Sequence, residues 1–195
     1  MSISPSKKKI IESAQGLFHR QGFQQTSLDD ITRESGVTRS NLYYHFNSKE
    51  ELGLETLRER VRQYESEVLE PTLKNNSLSP TERLSEFYRR VRSYHRSQTP
   101  PRGCPFGNLA TEMCGTNDNF REALSAFFKA WEAAIESCVR EGIESGEFRS
   151  DFPSRLLAQM ILSHLEGAVV MVKTYRTMEP LDSGTEMIMK LLKAA

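Results

Sequence analysis

The 195 residues hold no uninterrupted apolar run of membrane-spanning length. The longest, Ala168 to Val172, is five residues, against the ~18 that a bilayer requires. Lys7, Lys8 and Lys9 are followed by Glu12, Ser13 and Gln15 where a secretion signal needs an apolar stretch, so cytoplasmic residence and no membrane partner are expected. Cysteine is scarce: Cys104, Cys114 and Cys138 form no CxxC and cannot all pair, which suits a reducing compartment. The four histidines, His19, His45, His95 and His164, lack metal-ligand spacing, so neither a metal nor a cofactor is expected. A G-x-S-x-G elbow, a Gly-rich phosphate loop and an H-E-x-x-H pair are also missing, which leaves an enzyme without a visible catalytic set. Strand-like alternation is almost absent.

What is present is helical periodicity in an ordinary globular composition, 37% hydrophobic and 27% charged with zero net charge. The charge is unevenly placed. Residues 1–49 carry seven bases and four acids, and the remainder carries a compensating excess of acids. A basic head on an acidic body suits a polyanion partner for the head alone.

Apolar stripes and capping signals predict an all-α chain of about nine helices. Ile10, Ala14 and Leu17 mark a first helix that Gly22 ends. Ser27 caps a short second helix, with Asp29 and Asp30 in its first turn, and Gly36 stops it. Thr38 caps a third, Arg39 to Phe46, and Ser48 with Glu51 forms a capping box for a fourth. The fourth carries Leu57, Val61, Tyr64 and Val68 on one stripe until Pro71. Ser79, Pro80 and Glu82 open the fifth, and a short sixth starts at Pro105. The seventh runs from about Asn119 to Ser145 and the eighth from about Pro153 to Thr177. The last follows Pro180 and carries Met187, Ile188, Leu191 and Leu192.

Helices two and three flank Ser35-Gly36-Val37-Thr38, the pattern of a helix-turn-helix, or of an ordinary αα-corner. The outer face of helix three favours the former. With Leu42 and Phe46 inward, Arg39, Ser40, Asn41, Tyr43, Tyr44 and His45 stay outside, a set of donors matched to phosphates and base edges. Lys49 sits in the first turn of helix four, where a cation opposes the helix dipole by about 0.3–1 kcal/mol. A bound phosphate would reverse that sign. The cap hydroxyls of Ser27 and Thr38 stand at two further helix starts.

Gly22-Phe23, Thr26-Ser27, Asp30-Ile31, Ser35-Gly36-Val37-Thr38 and the run Leu42-Tyr43-Tyr44-His45-Phe46-Asn47-Ser48-Lys49-Glu50-Glu51-Leu52 resemble the amino-terminal signature of TetR-type transcriptional repressors. The resemblance covers about residues 6–55. It implies a DNA-binding domain over residues 1–49 and a ligand-binding and dimerisation domain over residues 50–195. It further implies a homodimer on a palindromic double-stranded operator, released by a small-molecule inducer. By this likeness Ser27, Thr38, Tyr44 and Lys49 would hold phosphates, and Arg39, Ser40, Asn41, Tyr43 and His45 would lie nearest the bases. It also implies that the last two helices pair with their symmetry mates, contributing Leu162, Leu165, Gly167, Ala168 and Val169 with the last helix's apolar residues. Those side chains could equally be buried within one subunit.

For the larger domain, Tyr64, Phe87, Tyr88, Tyr94, Phe127, Phe128 and Trp131 read as core filling or as an aromatic pocket. Tyr94, Arg102, Phe127, Trp131 and His164 are the ligand candidates. Cys104 precedes Pro105 at a helix start beside Arg102, and both the dipole and the cation would favour its thiolate. Gly103-Cys104-Pro105-Phe106-Gly107-Asn108-Leu109-Ala110 is similar to a segment in a branch of the same family, some of whose members sense electrophiles or oxidants through that cysteine. A small buried cysteine is the other reading. Two more classes stay open here: a helical enzyme, which would need an acid/base pair not visible in the sequence, and a purely structural dimer, which would leave the front module without a use.

Overall fold

The computed structural model describes residues 4–194, so the outermost ends of the 1–49 and 50–195 division lie outside it. The described residues form nine α-helices: α1 Pro5–Gln21, α2 Leu28–Ser35, α3 Arg39–His45, α4 Lys49–Tyr64, α5 Pro80–Arg96, α6 Pro105–Met113, α7 Asp118–Glu144, α8 Ser154–Tyr175 and α9 Glu179–Leu192. No sheet forms among them; a lone bridge joins Phe148 and Lys193.

The helix ends follow the local chemistry. Gly36 ends α2 at φ 68°, a left-handed conformation that a side chain resists. Ser79 caps α5 with a complete box from Glu82 and with Pro80 in the first turn. At α4 the box reaches one residue further back than expected: Ser48 accepts from the Glu51 N–H, while the Glu51 carboxylate accepts from Asn47. The α4 stripe also shifts. A single π turn, Glu65–Leu69, inserts an extra residue, so Leu69, Thr72 and Leu73 are buried where Val68 was expected to continue the stripe.

Two compact units result, residues 1–62 with 105–125 and residues 63–104 with 126–195. This partition by packing differs from the division expected at residue 49, because α4 as far as Arg62, α6 and the start of α7 belong to the first unit. In that unit Ile10, Ile11, Ala14 and Leu17 of α1 bury against Ile31, Leu42, Phe46 and Leu52, which fixes α2 and α3 on α1. Burying such side chains stabilises by about 1.5–3 kcal/mol each.

In the second unit α8 packs on α9, and α9 on α5. By length and composition α8 would pass for a membrane span. Its Leu157, Ile161, Leu162, Leu165, Ala168, Val169 and Val172 are instead a buried stripe of this unit. Gly184 on α9 is seated against the His164 ring, which a Cβ there would meet at 2.2 Å. The His164 ring thus packs in the α8–α9 contact, with its buried Nδ1 without a hydrogen-bond partner. Buried Arg83, 3% exposed, ties three elements together. Its guanidinium donates twice to the Leu73 carbonyl, at 2.9 and 2.7 Å, and once to Glu141 at 2.6 Å.

Candidate nucleic-acid interface and ligand region

On α3, Leu42 is fully buried while Arg39, Ser40, Tyr43 and Tyr44 are exposed, Tyr44 at 82%. The Arg39 guanidinium lies 5.8 Å from the Tyr43 ring centroid and 3.2 Å from Asp29. An exposed ion pair of this kind is worth about 0–1 kcal/mol, little enough to be exchanged for a base edge or phosphate. Asn41 is half-buried with its amide oxygen turned inward. The Thr38 hydroxyl accepts from the Asn41 N–H at 3.2 Å, capping α3.

Ser27 is engaged in its own helix. Its hydroxyl accepts from Asp30 N–H at 3.1 Å and donates to the Asp30 carboxylate at 2.7 Å. These Ser27 bonds, chiefly the hydroxyl, and then Arg33 hold the Asp30 carboxyl below its usual range.

His45, expected on the outer face, and Lys49, expected to hold a phosphate, both make contacts within this unit. His45 accepts or donates at 2.9 Å to the Ser6 hydroxyl, fastening the end of α3 to the start of α1. Lys49 extends its ammonium into the turn between α1 and α2, where it donates to the carbonyls of Phe23 at 3.1 Å, Gln24 at 3.4 Å and Thr26 at 3.1 Å. It also lies 4.6 Å over the Phe23 ring. All three of its protons thus have acceptors, which explains a cation at a helix start without an external phosphate. From α6, Glu112 accepts from the Gln24 N–H of the same turn at 3.0 Å. The turn is gripped by a cation at its carbonyls and an anion at its amide. Phe23 beside Gly22 was visible in the sequence, but only folding shows which carbonyls converge on Lys49.

In the second unit the structure gathers part of the expected ligand set. Tyr64 meets Phe127 edge-on at 5.7 Å and Trp131 at 4.8 Å between centroids. Its buried phenol is pushed well above its usual value, first by desolvation and then by Cys104 and Glu166 beside it. Cys104 is 8% exposed. Its thiol donates a hydrogen bond to the Glu166 carboxyl, whose proton affinity burial raises. An acidic neighbour works against the thiolate that the helix start was expected to favour. Sequence reasoning missed Glu166; the available signal was a lone acid between Leu165 and Gly167 on an apolar helix. Tyr94 is exposed on α5, and Arg102 uses its backbone N–H to bond the Gln98 side chain at 3.0 Å. Cys138 donates to the Pro80 carbonyl, and burial pushes its thiol up to about 11, so it is inert packing.

Residues 10–56 match the family described as "Bacterial regulatory proteins, tetR family", and residues 80–188 match "Tetracyclin repressor-like, C-terminal domain". The chain is 30% identical to the HTH-type transcriptional regulator LmrA of Bacillus subtilis, over 99% of this chain and all of that one. It is 28% identical to the HTH-type transcriptional repressor DhaR of a Mycobacterium species, covering 98% of this chain and 94% of the other. A crystal structure of a regulatory protein TetR from Rhodobacter sphaeroides superimposes with a TM-score of 0.88 at 27% identity, over 97% of this chain and all of that one. With its helix-turn-helix and its larger helical region, the chain belongs to the TetR family and is a non-enzymatic, DNA-binding, ligand-responsive transcriptional regulator.

Proposed function

We propose that the chain is a cytoplasmic repressor that holds a palindromic operator as a homodimer and releases it when a small molecule or an electrophile acts on the larger domain. Residues 1–49 serve as the reading head and residues 50–195 as the sensing and pairing part. The observation that carries this reading is the row of exposed donors on α3, Arg39, Ser40, Tyr43 and Tyr44, above a fully buried Leu42. In it Arg39, Ser40, Asn41 and Tyr43 address bases, and Ser27, Thr38 and Tyr44 address phosphates. Lys49 and His45 act from behind, by holding the turn and the helix that present those groups.

Pairing uses the outer faces of α8 and α9. Leu162, Leu165, Ala168, Val169, Ile188 and Leu192 are buried within the chain. The side chains left for a partner are Leu156, Met160, Val170, Met171 and Tyr175 on α8 with Met187 and Leu191 on α9. Two recognition helices about 34–36 Å apart would then meet successive major grooves.

Release acts through the region of Cys104, Phe127 and Trp131, with Glu166 as the added acid. Coupling passes through α4 and α6, whose Lys49 and Glu112 hold the same turn. A ligand shifts the equilibrium only by its differential affinity for the two states.

Fluorescence anisotropy with a duplex from the chain's own promoter, repeated across salt concentrations, tests the reading. Tight binding that weakens with salt, lost in Tyr44→Ala and Arg39→Ala, is expected. A folded dimer without salt-sensitive affinity for any duplex would refute it. For the sensor, an electrophile that releases wild type and Cys104→Ser equally removes Cys104 from the mechanism.

A further inference from the structure

A groove of about 760 Å³ lies in the second unit between α5 and the start of α9, and Cys104, Phe127 and Trp131 are not among its lining residues. Its α5 wall presents Ser85, Tyr88 and Arg92, which share one helical stripe, and its α9 wall presents Glu179, Asp182 and Glu186. Tyr88 is 1% exposed, and its phenol oxygen has no hydrogen-bond partner. The Arg92 Nε is likewise buried and unpartnered. Native proteins satisfy nearly all such buried groups, so two orphan donors on one wall point to an acceptor that arrives from outside. On the opposite wall Asp182 Oδ2 takes Arg96 at 2.7 Å, but its buried Oδ1 has no hydrogen-bond partner and is met only loosely by Arg92 Nη1, at 3.6 Å; Glu186 pairs with Lys190 at 2.6 Å.

We propose that this groove is a second ligand site, distinct from the inducer region, for a small molecule carrying both a carboxylate and an ammonium group. The carboxylate accepts from the Tyr88 hydroxyl and the Arg92 Nε–H. The ammonium donates to the α9 acids, Glu179 and Asp182 foremost. Met178 and Met189 line the groove beside these charges and suit a short methylene spacer. A ligand with one charge leaves the other wall unanswered, which is how the groove discriminates. The site stays accessible in a dimer, because Asp182 and Met189 lie on the opposite side of α9 from Met187 and Leu191, which project outward.

Thermal melts of the intact protein with a series of ω-amino acids, from glycine to 6-aminohexanoate, test this by mass action. One chain length is expected to raise the melting temperature in a saturable way, while the matching fatty acid and alkylamine, alone, do not. Tyr88→Phe, which deletes a single hydrogen bond to a charged group, is expected to weaken that binding about tenfold. Glu179→Gln changes an exposed side chain without risk to the fold and is expected to weaken it several-fold. The proposal is overturned if no member of the series shifts the melt, if the single-charge compounds shift it equally, or if Tyr88→Phe binds as wild type does.

Discussion

Lys49 begins α4 with its charge against the helix dipole, and three carbonyls of the α1–α2 turn answer it. Replacing it by methionine strands those carbonyls, and we expect a stability loss of about 1.5–3 kcal/mol, the range for hydrogen bonds to a charged group. Urea unfolding reads this directly. If Lys49 acts only from behind, the salt slope of operator binding stays as in wild type. A direct phosphate contact would instead lower the slope by about 0.9 and leave stability nearly intact. Glu166 offers a second test at the same scale. Burial raises its carboxyl above the ordinary 4.5. A raised acid contributes stability that is fully present below about pH 4.5 and is lost as pH rises through its folded value. Glu166→Gln is therefore expected to melt higher than wild type at neutral pH. That advantage should vanish when the melts are repeated below pH 4.5; a gap that persists in acid would mean that packing, and not ionisation, sets it.

At the scale of elements, most helix ends were legible because capping is local chemistry. Ser27, Gly36, Thr38 and Ser79 each act within a few residues of their own position. The π turn was not legible, since an inserted residue changes the burial stripe without changing the composition around it. Arg83 was also hidden. Its acceptors, the Leu73 carbonyl and Glu141, come from other segments that no spacing rule connects. We expect Arg83→Ala to cost about 3 kcal/mol, the lower end for breaking a buried ion pair, because Glu141 is 38% exposed and keeps its hydration. Arg83→Lys retains the charge but loses the fork, and should recover less than half. Equilibrium unfolding of the two variants decides it: an Arg83→Ala protein within 0.5 kcal/mol of wild type, roughly the size of a neutral surface change, would show that the contact is dispensable.

For the molecule as a whole, the sequence distinguished buried from exposed residues on α3 but left open whether the apolar residues of α8 and α9 face a partner or their own chain. The reason is that both faces of these helices are apolar, so periodicity alone has no contrast to read. Only packing shows that Leu165, Val169 and Ile188 are covered by their own chain. Met187, 57% exposed, and Leu191, 46% exposed, remain uncovered and stand in register one turn apart on α9. Val170, Met171 and Tyr175 are exposed on α8 as well. Uncovered apolar side chains gathered on two helices of a folded chain suit an association surface. Introducing glutamate at both Met187 and Leu191 places like charges across any symmetric interface there, while leaving the buried stripe of α9 untouched. Sedimentation should then show monomers with the helix content of wild type. Operator affinity should fall far more than for either half-site, because one α3 alone reaches a single major groove and the second binding event is no longer intramolecular. Should the doubly charged protein sediment as a dimer and grip its promoter normally, pairing must use another face, and the α3 heads would have to be spaced by something other than α8 and α9.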